Sequence, residues 1–116
     1  MNVIIAGSRT IVDRRVVWNA IEQSGFDIST ILCGMADGVD LKGLSYGINN
    51  EIEVKKYPAD WKNKGKQAGI LRNIEMAKNA DALIAVWDGK SIGTKHMIET
   101  ALKHGLKLFV KTVGTR

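Results

Sequence analysis

The chain predicts an α/β domain, a three-layer sandwich in which a five-stranded parallel sheet carries helices on both faces. Three observations predict it. Short, continuous apolar runs of the kind buried on both faces of a sheet recur along the chain. Segments with helical apolar period separate them. Glycine, asparagine or aspartate marks most of the junctions. Strict strand–helix alternation argues for parallel strands joined by right-handed crossovers. The 116 residues suffice for one domain with its own core, residues 1–116, and no linker, repeat or low-complexity segment divides them.

The first strand is Asn2-Val-Ile-Ile-Ala6, ended by Gly7-Ser8-Arg9-Thr10. Asp13 can cap a helix carrying Val16, Val17, Ala20 and Ile21, and Gly25 stops it. Thr30-Ile-Leu-Cys33 is the second strand, followed by Gly34-Met-Ala-Asp37-Gly38-Val-Asp40. A helix with Leu41, Leu44 and Ile48 closes at Asn49-Asn50. Glu53 to Tyr57 alternates and reads as a strand near the sheet edge. Pro58-Ala-Asp60-Trp61 and the lysine-rich Lys62 to Lys66 read as loop, and a third helix carries Leu71, Ile74 and Ala77. The fourth strand is Ala82-Leu-Ile-Ala-Val-Trp87; a helix with Met97, Ile98, Ala101 and Leu102 follows and stops at Gly105. The last strand is Lys107-Leu-Phe-Val110.

In such sheets ligands bind beyond the carboxyl ends of the strands, where strand order reverses. The loops at those ends hold Arg9, Asp37, Asp40, Asp60, Trp61 and Asp88, with most glycines that lie outside helix ends. The informative stretch is Asp88-Gly89-Lys90-Ser91-Ile-Gly93-Thr94. A glycine-containing loop running into a helix leaves backbone N–H groups unpaired at the helix's positive end, which suits phosphate. Ser91 and Thr94 can add hydroxyls and Lys90 a charge. The same residues also make an ordinary strand-to-helix turn with Ser91 or Thr94 as N-cap, and both readings stand.

Composition sets the partners. Charged residues make up 25% and the formal net charge is +5, which admits nucleic acid but equally any small polyanion. The lysines are dispersed, and no nucleic-acid-binding motif accompanies them, so nucleic acid is not the favoured partner. The single cysteine, Cys33, permits no intramolecular disulfide. There is no signal-peptide pattern and no apolar run of membrane-spanning length, so the expected setting is cytoplasmic, with no membrane partner. No metal or catalytic-triad signature is present, and no cofactor is expected. His96 and His104 lie about 12 Å apart along one helix, too far to share a metal, and read as surface residues. Cys33 reads as a small core residue.

Taken together the loops resemble the SLOG superfamily, a Rossmann-like group that includes the LOG cytokinin-activating phosphoribohydrolases and the DprA nucleic-acid proteins. The match is to its small single-domain branch, YspA-like and YpsA-related, common in bacteria and phages. Gly7-Ser8-Arg9 resembles that branch's Gly-Gly-Arg or Gly-Ser-Arg. Gly34 to Asp40 resembles its Gly-Gly-Ala-x-Gly-Ala-Asp loop, with Met35 in place of a glycine. Pro58-Ala-Asp-Trp61, then Gly65, Ala68-Gly69 and Arg72-Asn73, resembles its Pro-Ala-Asp-Trp…Arg-Asn block. Asp88 to Thr94 resembles Pro-Gly-Gly-x-Gly-Thr, with one residue inserted and the proline gone.

The resemblance implies binding of a nucleotide or nucleotide-derived small molecule, in a phage- or defence-related setting, and a homo-oligomer. The LOG enzymes place a catalytic glutamate three residues after the threonine. Here that position is Met97, which cannot handle a proton, and Glu99 lies about 200° around the helix from it. The expected role is therefore non-catalytic, a sensor or sequestering protein; LOG-like cleavage of an N-glycosidic bond is the alternative and DprA-like nucleic-acid binding the third. Arg9 reaches the ligand or pairs with Asp13; Asp37 and Asp40 accept ribose hydroxyls or open a helix. Trp61 stacks on a base or covers the core, Arg72 and Asn73 point into the site or face solvent, with the resemblance favouring the site, and Asp88 makes the turn or faces the ligand.

Overall fold

The structure, a computed structural model, describes residues 1–114. Five strands, β1 (Asn2–Gly7), β2 (Thr30–Cys33), β3 (Glu53–Lys56), β4 (Ala82–Trp87) and β5 (Lys107–Thr112), form one sheet in the order β3-β2-β1-β4-β5. Every pairing is parallel, with Ile4 opposite both Leu32 and Leu83 in register. The order reverses between β1 and β4, so their carboxyl ends form the crevice that such sheets offer to ligands.

Side chains of β1 alternate between two cores, as strand geometry requires. Val3 and Ile5 join Val17, Ala20 and Ile21 of α1 (Arg14–Gln23) and Val39 of α2 (Val39–Asn49) on one face. Ile4 and Ala6 join Met76 and Ala77 of α4 (Ala68–Lys78) and Met97 and Ala101 of α5 (Ile92–Lys103) on the other. β4 is buried from Ala82 through Val86, whereas β3 and β5 expose lysines, Lys55, Lys56, Lys107 and Lys111, at the sheet edges, which discourages edge-to-edge pairing. The three-layer α/β architecture expected from the sequence is the one observed.

Two elements differ from expectation. Pro58 to Lys66 is not all loop: Asp60 caps a short helix, α3 (Trp61–Lys64), by accepting the Asn63 amide, and a 3-10 turn over Gly65–Gln67 leads into α4. That helix buries no side chain, so its lysines conceal it from an apolar pattern. In α2 the buried positions are Val39, Asp40, Gly43 and Gly47, while Leu41 and Leu44 are only half-buried and Ile48 is 69% exposed. The helix lies on its glycine edge, which lets its backbone approach Ile5, Ile31 and Val54 closely. Among the described residues no helix is long and apolar enough to cross a membrane.

Candidate functional site

At the carboxyl ends of β1 and β4 lies a cavity of about 480 Å³ between α4, α5 and the loops after β1 and β2. It adjoins a smaller lobe of about 240 Å³, and the two share Arg9, Ala36, Trp61 and Arg72.

Its floor is set by close backbone approach. A Cβ on Gly7 would sit 2.0 Å from the Val86 carbonyl oxygen and 2.8 Å from Val39, so only glycine fits between β4 and α2. Ser8 is buried and ties the loops together: its amide donates to the Val86 carbonyl at 3.1 Å and its hydroxyl accepts the Asp88 amide at 3.0 Å. Ser8 therefore holds the walls rather than facing the space.

Asp40, at the start of α2, is 5% exposed and lines the larger lobe. Burial pushes its carboxyl up to about 6, against the opposing pull of the Ala36 amide, donated at 3.2 Å, and of the Arg72 guanidinium. Arg72, reaching across from α4, donates to the Gly34 carbonyl and, through Nε, to Asn73 Oδ1 at 3.1 Å. Burial lowers the Arg72 pKa while the nearby Asp40 charge raises it. Gly34 lies between these two groups: a Cβ there would meet Arg72 Nη1 and Asp40 Oδ2, each at 2.8 Å. Asn73 continues the polar chain, its Nδ2 3.1 Å from His96 Nδ1, and His96 Nε2 lies 3.4 Å from Thr100 Oγ1.

The loop after β4 is largely self-satisfied. The Asp88 carboxylate accepts the amides of Lys90 and Ser91, both at 2.8 Å, and these bonds hold its pKa below the usual carboxylate range. Ser91 caps α5 by accepting the Thr94 amide at 3.3 Å, and the two hydroxyls lie 3.0 Å apart. The amides of Ile92 and Gly93, first in the helix, have no intrahelical acceptor and no partner among the described residues. These two residues line the cavity, whereas Asp88, Gly89 and Lys90 do not.

The structure thus brings Gly7, Arg9, Asp40, Trp61, Arg72, Asn73, Ser91, Gly93 and Thr94 to the larger lobe and Gly34 to the smaller. Asp37 is exposed and lines neither lobe; α2 is capped instead by Gly38 at φ 76 with no side-chain acceptor. Asp60 is spent on the α3 cap, and Trp61, 52% exposed, lies against Gly69. Arg9 does not pair with Asp13, because Arg15 takes that carboxylate at 3.2 Å in the one ion pair among the described residues. Lys66, Lys95, His96 and Glu99 also face the cavity. A stripe on α5 at helical spacing, Gly93, His96, Glu99, carries two of them, a signal present in the sequence, where His96 was read as surface.

Among the described residues Met35 and Glu51 are the non-glycine positions with left-handed backbone, and Met35 is the one beside the cavity. Its φ of 63° is left-handed, which costs a residue bearing a side chain about 1–2 kcal/mol. Its sulfur lies 3.6 Å from that of Cys33, whose buried thiol donates to the Asp40 carbonyl at 3.3 Å. Burial pushes the Cys33 thiol up to about 11, so it is no nucleophile at neutral pH.

A doubly wound parallel sheet whose polar loops converge at the switch point defines a Rossmann-like α/β domain. The chain belongs to the YspA, cpYpsA-related SLOG family, whose sequence model matches residues 1–63. It is similar to the "Gene 61 protein" of Mycobacterium phage D29, 34% identical over 113 residues spanning 90% of each chain. No solved structure matches it.

Proposed function

We propose that the chain binds a nucleotide or nucleotide-derived small molecule at the carboxyl edge of the sheet, as a non-catalytic sensor or sequestering protein. The observation that carries this reading is the convergence of four cations, Arg9, Lys66, Arg72 and Lys95, and the free Ile92 and Gly93 amides on one cavity. Only Asp40 and Glu99 oppose them in charge there. Phosphate oxygens accept hydrogen bonds from free amides at a helix's positive end and from guanidinium groups. Ribose hydroxyls are donated to Asp40, the acid at the cavity floor. Position 97, where LOG-type cleavage needs a carboxylate, is Met97, packed in the core at 1% exposure.

Glu99 at the cavity margin is the observation that favours the second reading, an N-glycosidic hydrolase. One experiment separates the two. Purified protein is incubated with a cell metabolite extract, washed and denatured, and the released molecules are identified by mass spectrometry. The binding reading expects an intact nucleotide-like molecule in stoichiometric amount. In an Arg72→Ala variant its affinity should fall roughly 10- to 100-fold, the size of a lost charge-assisted hydrogen bond. Unchanged affinity in that variant, or conversion of nucleotides to free bases, overturns it.

A further inference from the structure

The smaller lobe differs in chemistry from the larger. Beyond the shared residues its lining is Gly34, Met35, Pro58 and Ala59, with no carboxylate, amide or hydroxyl side chain. Its volume of about 240 Å³ is below the roughly 300–1,000 Å³ of pockets that take whole drug-sized ligands, so it suits a single ring system. At its neck stand one half-exposed indole, Trp61, and two guanidinium groups, Arg9 and Arg72. Such groups hold a flat π-system by stacking and cation–π attraction.

Met35 is the unusual member. A glycine would trace the same left-handed backbone without strain; the side chain adds only its thioether, which the Cys33 sulfur helps to locate and which lines this lobe. Strained backbone of this kind persists where its surroundings over-determine it, and it concentrates at ligand sites. Thioethers also make favourable contacts with aromatic rings.

We propose that the smaller lobe is the subsite for a planar heteroaromatic ring, the nucleobase of the bound nucleotide, and that Met35 determines which ring system it accepts. The inference rests on the nucleotide reading above and deepens it. Apart from the two guanidinium groups and the indole N–H, which can only donate, no side chain in the lobe bonds a base's edge, so selection there rests chiefly on ring size and stacking. Purines, with the larger face, are preferred to pyrimidines.

The test uses AMP, CMP, adenosine and inorganic phosphate as probes, with calorimetry on the wild-type chain and on Met35→Gly and Met35→Leu. The wild type should bind AMP more tightly than CMP and should also bind adenosine, more weakly. Met35→Gly should melt at a higher temperature yet bind AMP and adenosine about three- to tenfold more weakly, the scale of a lost sulfur–ring contact. Its AMP-to-CMP ratio should fall toward one, while its affinity for phosphate stays unchanged. Met35→Leu, which keeps the bulk, should retain the ratio. A rise in melting temperature beside a fall in base affinity is a pattern that structural damage does not produce. If the wild type binds AMP but Met35→Gly leaves the ratio unchanged, the subsite assignment falls and the nucleotide reading stands. If the wild type binds none of the nucleotide probes, both fall.

Discussion

Replacing Asp40 by asparagine should flatten the acid-range pH dependence of stability. Asp40 is 5% exposed, and burial raises its carboxyl from 3.8 to about 6 in the folded chain. Between those two values the folded state binds more proton than the unfolded state, so this group's contribution to stability falls as pH rises through the window. At about 1.4 kcal/mol per pH unit the whole window corresponds to about 3 kcal/mol. Most of it, about 2 kcal/mol, lies between about pH 7 and about pH 4.5. Asparagine keeps the shape and one acceptor for the Ala36 amide but does not titrate. The assay is urea unfolding of both proteins at those two pH values, followed by circular dichroism. Every other titrating group is common to the pair and cancels in their difference. The wild type should gain about 2 kcal/mol on the variant as the pH is lowered. A difference between the two proteins that is the same at both pH values would refute the reasoning, because it would mean that burial does not hold the carboxyl up.

The other perturbations separate scaffold from site. Gly7→Ala drives a methyl into the Val86 carbonyl and Val39, neither of which can withdraw; it should cost about 3 kcal/mol and lower the melting temperature by roughly 10–20 °C in a thermal melt. Gly34→Ala instead meets the ends of the Arg72 and Asp40 side chains, which can shift only by giving up their bonds to the Gly34 carbonyl and the Ala36 amide. It should lower the melting temperature less than Gly7→Ala does while weakening binding of AMP about tenfold by calorimetry, since it displaces the guanidinium from its place.

β1, β2 and β4 were legible because each is a short apolar run ended by a turn residue, and burial on both faces leaves that pattern unmixed, whereas the edge strands β3 and β5 showed as an alternation and a short apolar run beside exposed lysines. Asp13 and Ser91 likewise capped the helices they precede. The face of α2 was not legible. A periodicity argument follows the large apolar residues, Leu41, Leu44 and Ile48, but the closest packing on a sheet goes to the smallest, Gly43 and Gly47. For the same reason of competing roles, the loop after β4 gave a mixed reading. Asp88 and Ser91 consume the amides of Lys90, Ser91 and Thr94 that a bare glycine loop would leave free, and of the cavity-lining residues there Ile92 and Gly93 keep theirs. His96 was hidden because its neighbours Lys95 and Glu99 are exposed; its link to Asn73 depends on how α4 meets α5, a long-range fact that no local pattern carries.

The walls of the cavity are unequally anchored. The loops after β1 and β4 are clamped by Ser8 and Gly7 to the sheet's buried centre, whereas α3 buries no side chain and hangs on the Asp60 cap and the contact of Trp61 with Gly69. Detaching α3 uncovers little apolar surface, so its local opening costs a small share of the global unfolding free energy. Exchange of any molecule seated behind Trp61 is then paced by that opening and not by unfolding of the domain. Dwell time becomes a property of the weakest wall, and it can be changed by mutations at Asp60 or Gly69 without altering a single charge that faces the cavity.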